Sequence, residues 1–552
     1  MEAAQAINPY DVETPVTVQE HPIITPYFTK LLPVTKQDKN PMSLRSRQGV
    51  NLKVMGLTAV ISWVVWLHPV LAQLQFAPPS FEMNGRMAAP VDFQKLQASV
   101  VFDLDAKRAS AEAIVTFRMG PDKAMPVFDL RQDVREIELD GQPIEPNLLV
   151  SSDPPGLLST PEVNQSMQVL QVVLEAASEH QLRFKYDLST PRSIDANGPI
   201  WKVSGVEWGS WMSELRPGRF LEQWFPANLI HDQFVFELQL KVITAKEPIA
   251  HELVTNGTIT KPADGTWAIT FPDYFSAFSP LVVLVPMSEI EKSTSEVLLE
   301  NGQVVELEVF RHKEGARVLP GTGKIDPPEL PEIHEATARC LKKFNSSFGP
   351  WPHGSKCTLF VHDGFEGMEY DGAFTTSALL LPEELLHSFF ARGLKPASQI
   401  DSWIDEAFVN YYLKKENIYF HLDHLPNKSD ESEAKQFYSQ YLTEAGQSPL
   451  ASQNPWVRVT QPGAYRIGVL FFEQLAAIIG EDELDTTMRE LAKEHGIANP
   501  ITTAELEARL LNIAGSRRDD VQKLFSFTVY ADTSGDVKEI FKDVIAKYGL
   551  DK

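Results

Sequence analysis

Between residues 95 and 290 apolar and polar side chains alternate along the chain. LQASVVFDLD (96–105), AEAIVTFRM (111–119), HQLRFKYDL (180–188) and FVFELQLKVI (234–243) place apolar and β-branched residues at every second position. That period predicts strands with one buried face. VREIELDGQPI (134–144) adds a strand followed by an Asp-Gly turn, and LQVVLEA (170–176) and LVVLVPM (281–287) continue the series. From about residue 330 the spacing becomes helical. PEIHEATARCLKKFNSSFG, SWIDEAFVNYYLKKEN, GVLFFEQLAAII, ELDTTMRELAKEH and TAELEARLLNI predict helices, the first ending at Gly349. KCTLFVHD (356–363) predicts one strand among them, and 319–331 a loop. The expected fold is α+β. An antiparallel β saddle or sandwich over 73–295 precedes a mostly helical domain over 296–552.

A third texture lies at the start. Residues 54–72, VMGLTAVISWVVWLHPVLA, are almost continuously apolar and follow Arg45, Arg47 and Lys53. Val70-Leu71-Ala72 ends the run like a small-residue cleavage site, so it reads as a signal peptide, with an uncleaved membrane anchor as the alternative. Residues 1–53 form a polar extension within which Met42 is the expected start. Both readings export the working part or anchor it facing outward. A membrane partner is expected only if 54–72 stays uncut.

The chain has 552 residues, too many for one ordinary core, and an average composition with 43% hydrophobic and 22% charged residues. Its formal charge of −24 repels phosphate backbones, so no nucleic-acid partner is expected. Its two cysteines, Cys340 and Cys357, make no disulfide framework or cysteine-rich metal module. One bridge or two free thiols both fit.

The candidate chemistry begins at LPEELLHSFF (381–390). Glu383-Glu384-Leu385-Leu386-His387 stands one residue away from the metal-binding H-E-x-x-H. Pro382 and two acidic residues also suit an ordinary helix start. Positions i and i+4 share a helix face, so Glu383 and His387 can reach one ion. Eighteen residues separate His387 from Glu406, in DSWIDEAFVNYY (401–412). Ser402 and Asp405 make a capping pair for that helix. A carboxylate from Glu406 completes three ligands with one position open for water, and Glu384 is the base that activates it.

This arrangement resembles the aminopeptidase N-type zinc metallopeptidases of the gluzincin clan. Their signature is H-E-x-x-H, eighteen residues, then Glu within W-x-x-E-G/A-F-x-x-Y. The resemblance covers roughly 95–550, and it implies a saddle domain followed by a thermolysin-like catalytic domain. Glu366-Gly367-Met368-Glu369-Tyr370 resembles the family's G-x-M-E-N strand, with its first glycine and last asparagine replaced. That implies a substrate-binding role for Gly367, Met368 and Glu369, with Glu369 taking the α-amino group of a peptide. QPGAYRIGVLFFEQL resembles the family's Y-x-K-G helix start, with Ile467 in place of lysine. Tyr465 is then the donor to the tetrahedral oxyanion.

The departures point to altered chemistry. Glu383 replaces the leading histidine, so a Glu383–His387–Glu406 set carries one more negative charge than the family's and implies a weaker or altered zinc site. Only fourteen residues separate Met368 from Glu383, fewer than the family's usual connection. No large helical domain follows the catalytic region in these residues, which leaves exopeptidase selectivity open. His421 and His424 read as loop histidines. Two functions follow: a metallopeptidase removing N-terminal residues from peptides, or an inactive homologue kept as a binding or scaffold protein.

Overall fold

The computed structural model describes residues 74–550 apart from 161–162, 194–195, 231, 314–317, 320–322, 325–328, 363–366, 378–379 and 419–430. The expected leader at 54–72, the extension before it, Glu366, and His421 and His424 lie outside the described residues. Among the described residues no helix is long and apolar enough to cross a membrane.

The alternating segments form a large twisted sheet. Its main path runs, by residue number, 258–263, 266–270, 235–243, 86–103, 108–119, 179–187, 134–139 and 142–144. Neighbours on this path are antiparallel except that Val235–Ile243 runs parallel to Arg86–Asp103. In Arg108–Met119 the buried positions are Ala109, Ala111, Ala113, Val115, Phe117 and Met119, as a period of two requires. The polar face carries ion pairs such as Arg183–Glu112 and Lys185–Glu136, half-exposed and of little energetic weight. A smaller antiparallel sheet, 200–202, 205–209, 282–286 and 251–255, packs against it. Val282–Pro286 is buried at every position, which explains its continuous apolar run. LQVVLEA differs from the expectation. Its strand is Met167–Leu170, and beyond it only Leu174 makes an isolated bridge, to Ala124. Without a continuous partner strand, local β propensity does not hold the extended ladder.

The chain then enters a five-stranded sheet ordered 290–298, 304–312, 356–361, 373–376 and 368–370. Phe310, Phe360, Met368 and Tyr370 pack into the core of the first layer. Cys357, Leu359 and Val361 turn the other way, into the helical core. Cys340 and Cys357 are free thiols.

Three helices cover that second face. Helix α1, Leu330–Phe348, begins where the Glu332 carboxylate accepts from the Glu329 N–H (3.0 Å) and stops at Gly349, whose φ is 107°. Helix α2, Leu381–Phe390, has Pro382 in its first turn and every residue buried. Helix α3, Trp403–Glu416, packs against α2 and ends at Asn417 in the left-handed region. The expected Ser402–Asp405 cap is absent. The Ser402 hydroxyl donates to the Gln399 carbonyl instead, and Asp405 turns to α2. A fourth helix, α4, Ile467–Ile479, crosses α3 at Gly468. A Cβ at Gly468 would lie 2.4 Å from the Ala407 Cβ, so two small residues set this close approach. Gly468→Ala should therefore destabilise the fold by about 1–3 kcal/mol through overpacking. A lowered urea midpoint at constant slope is the readout, and an unchanged midpoint removes the steric argument.

The two layers are tied by a buried charge cluster. Arg458 donates to Asp129 (2.6 Å) and Glu222 (3.1 Å), while Arg131 holds the same Asp129 (2.8 Å). Two residues after Arg458, the Thr460 N–H donates to the Glu214 carbonyl (3.0 Å) and fixes the loop carrying Glu214 against the segment that leads to Tyr465.

Candidate active site

Helix α2 presents His387 to the first turn of α3. His387 Nδ1 and Asp405 Oδ1 are 2.6 Å apart, and His387 Nε2 lies 3.7 Å from Glu406 Oε2. Adjacent residues of one helix start therefore face the two ring nitrogens, Asp405 by a hydrogen bond and Glu406 beyond hydrogen-bond distance. All three residues are buried. Burial alone would lower the His387 pKa, but Asp405, Glu369 and Glu384 together raise it well above the usual value. The buried imidazole therefore holds its proton more tightly than a free one. With Nδ1 committed to Asp405, Nε2 is the nitrogen left for a metal.

Glu406 makes two further contacts. Its Oε2 accepts from Asn410 Nδ2 (3.2 Å), and its Oε1 lies 3.0 Å from the Tyr465 hydroxyl. Tyr465 ends the turn Pro462–Tyr465 just before α4. Its hydroxyl also contacts Glu214 Oε1 from the first layer, and Glu214 Oε2 accepts from the Thr460 hydroxyl at 2.8 Å. One hydroxyl has one hydrogen to donate, yet two carboxyl groups face it. Burial and then Glu214 raise the Glu406 pKa well above its usual value.

Glu384 packs against Gly367. A Cβ at Gly367 would sit 1.9 Å from Glu384 Oε1, so any larger residue there would displace the Glu384 carboxylate. Glu384 is 6% exposed, and its Oε2 has no hydrogen-bond partner among the described residues. Burial and then Glu369 raise its pKa well above the usual carboxylate range. Glu369 sits beside Met368 on the short buried strand Met368–Tyr370. Its Oε1 accepts from Arg392 Nη2 at 2.8 Å. Burial lifts the Glu369 pKa to about 7 against the pull of Arg392.

The structure brings His387, Glu406, Glu384, Tyr465 and Glu369 together. Donor atoms of Glu369, His387, Asp405 and Glu406 all lie within 4.8 Å of one another. Glu383 stands outside that group. It is buried and hydrogen-bonds Asn410, the residue one turn beyond Glu406 on α3. Two ligands of a tetrahedral ion at zinc distances sit about 3.4 Å apart, so the 3.7 Å between His387 Nε2 and Glu406 Oε2 suits a shared ion. The unpartnered oxygen of Glu384 suits a water beside it. Among the described residues, six carboxyl groups (Glu214, Glu369, Glu383, Glu384, Asp405 and Glu406) crowd around His387 and Arg392, a concentration of acidic oxygens that suits a divalent ion.

Three members were missed by sequence reasoning. Asp405 had a signal, since an acid adjoining a ligand carboxylate can orient the facing histidine. Glu214 and Arg392 are joined to the site only by the tertiary fold.

No protein-family model matches the chain, and no curated protein matches it. Solved structures do. The M1 zinc metallopeptidase of Deinococcus radiodurans superposes with a TM-score of 0.55 at 18% identity, covering 81% of this chain and 95% of that one. The fold is that of an M1 zinc metallopeptidase. A mutant of that enzyme bound to a Tyr-Ser-Ala substrate gives 0.54 over 81% and 96% at 18% identity. A mutant two-domain M1 zinc metallopeptidase bound to L-arginine gives 0.52 over 80% and 95%, again at 18%. An M1-type fold thus accounts for both the strand-rich layer and the helical half.

Proposed function

We propose that the protein is a zinc-dependent peptidase that hydrolyses peptide bonds near the N-terminus of peptide substrates outside the cytoplasm. The observation that carries this is the convergence of His387 Nε2, the Glu406 carboxylate, the unpartnered Glu384 oxygen and the Tyr465 hydroxyl in one buried cluster. His387 and Glu406 would hold the ion, with Glu383, one turn before His387, as the third ligand. Bound there, zinc supplies a Lewis acid and lowers the pKa of a water. Asp405 fixes the His387 ring through Nδ1. Glu384 takes a proton from the attacking water at Oε2 and returns it to the leaving amine nitrogen. Tyr465 donates its hydroxyl to the oxyanion of the tetrahedral intermediate. Burial keeps bulk water from weakening these charges.

The similar two-domain M1 zinc metallopeptidase supports the reading, because that protein is named a zinc peptidase. The test is to load the full chain with zinc, measure bound metal by elemental analysis and assay peptide hydrolysis. One equivalent of metal and turnover are expected. No metal and no turnover overturn the proposal. Glu383 outside the donor group favours a second reading, an inactive homologue that binds peptides, for which metal-independent peptide binding without turnover is the expected result.

A further inference from the structure

Arg392 follows α2, and its N–H donates to the His387 carbonyl (2.9 Å). Its guanidinium is fixed from three sides. Nη2 donates to Glu369 Oε1 (2.8 Å), Nε donates to the Glu369 carbonyl (3.3 Å), and the group lies 3.7 Å from the centre of the Phe278 ring. The residue is only 3% exposed, and a guanidinium keeps its charge in proteins. Glu369 therefore reaches the pocket with a resident counter-ion. Glu214, the other carboxylate facing Tyr465, is engaged at both oxygens, by Tyr465 and by Thr460. A ligand ammonium arriving at the second oxygen of Glu369 would meet the like charge of Arg392 already held on Oε1.

Resting on the peptidase reading of this pocket, we infer that Arg392 takes the place of a substrate's α-ammonium group, so that the site selects peptides whose N-terminus is uncharged, acylated ones foremost. Arg392 is the residue that sets this choice. It leaves the hydrolytic groups Glu384 and Tyr465 untouched, so specificity changes without loss of the chemistry.

Calorimetric binding of leucinamide and N-acetyl-leucinamide to the zinc-loaded full chain tests this. The acetylated ligand should bind at least tenfold more tightly. Arg392→Gln should improve leucinamide binding at least tenfold, because Glu369 then lacks its resident cation. Should Arg392→Gln fail to fold, as circular dichroism would show, the wild-type preference decides alone. Tighter binding of leucinamide by the wild-type chain overturns the inference. So does binding of neither ligand, or a folded variant with no gain. Hydrolysis assayed in parallel separates the two claims. Turnover with a preference for free amines keeps the peptidase and removes this role for Arg392. An acyl preference in binding without turnover keeps the role and removes the peptidase.

Discussion

Glu384→Gln should lower kcat on the zinc-loaded protein by about 10²–10⁴-fold, the range for loss of a general base, and should stabilise the metal-free protein. Both effects follow from one oxygen. Glu384 Oε2 is buried without a partner among the described residues, and burial and the neighbouring Glu369 raise its pKa well above 4.5. The unfolded chain gives up that proton near 4.5, whereas the folded chain retains it to higher pH. The folded state thus binds more protons, and the contribution of Glu384 to stability falls as pH rises above about 4.5. The glutamine removes this term, so its gain in urea midpoint should be larger at pH 8 than at pH 5 with chelator present. Activity within tenfold of wild type would remove Glu384 from the role of base. A stability gain independent of pH would remove the linkage argument.

What could be read from the sequence here was local. The i, i+4 spacing put Glu383 and His387 on one helix, Pro382 placed the start of α2, and Gly349 marked the end of α1. Alternation gave the strand faces of Arg108–Met119 correctly for the same reason, since period two is a property of the strand itself. The Ser402–Asp405 pattern shows where this stops. A cap and a histidine partner need the same carboxylate, and nothing within a few residues says that His387, across the helix pair, offers Asp405 the stronger bond. Gly367 is a milder case. The resemblance gives it a place in substrate binding, while the structure adds a steric demand from Glu384. Glu214 and Arg392 enter only through the packing of the first layer and the return of the chain after α2. Charge pairs over such separations leave no periodic trace.

Glu383→His is the second large effect, an increase in zinc affinity of at least about tenfold, or about 1.4 kcal/mol. Binding an ion at the native site requires the proton to leave His387, whose pKa is raised by Asp405 and its neighbours against the effect of burial, and protons to leave Glu383 and Glu406, both raised chiefly by burial. Zinc competes with these more tightly held protons, so its affinity should climb with pH in the native chain. A histidine at 383 replaces one buried carboxyl by a neutral donor better matched to zinc, removes one negative charge from the ligand set and thereby leaves the ion a stronger Lewis acid. Chelator competition at pH 6, 7 and 8 measures the affinity, and peptide hydrolysis measures the consequence. If turnover rises with affinity, the native residue limits catalysis at the metal. If affinity is unchanged, the third donor is not at 383, and Asp405 or Glu369, whose oxygens already lie within 4.8 Å of the Glu406 and His387 donor atoms, takes that place. Glu383→Ala distinguishes these directly: loss of stoichiometric zinc makes Glu383 a ligand, and retention assigns its carboxylate to the hydrogen bond with Asn410 alone.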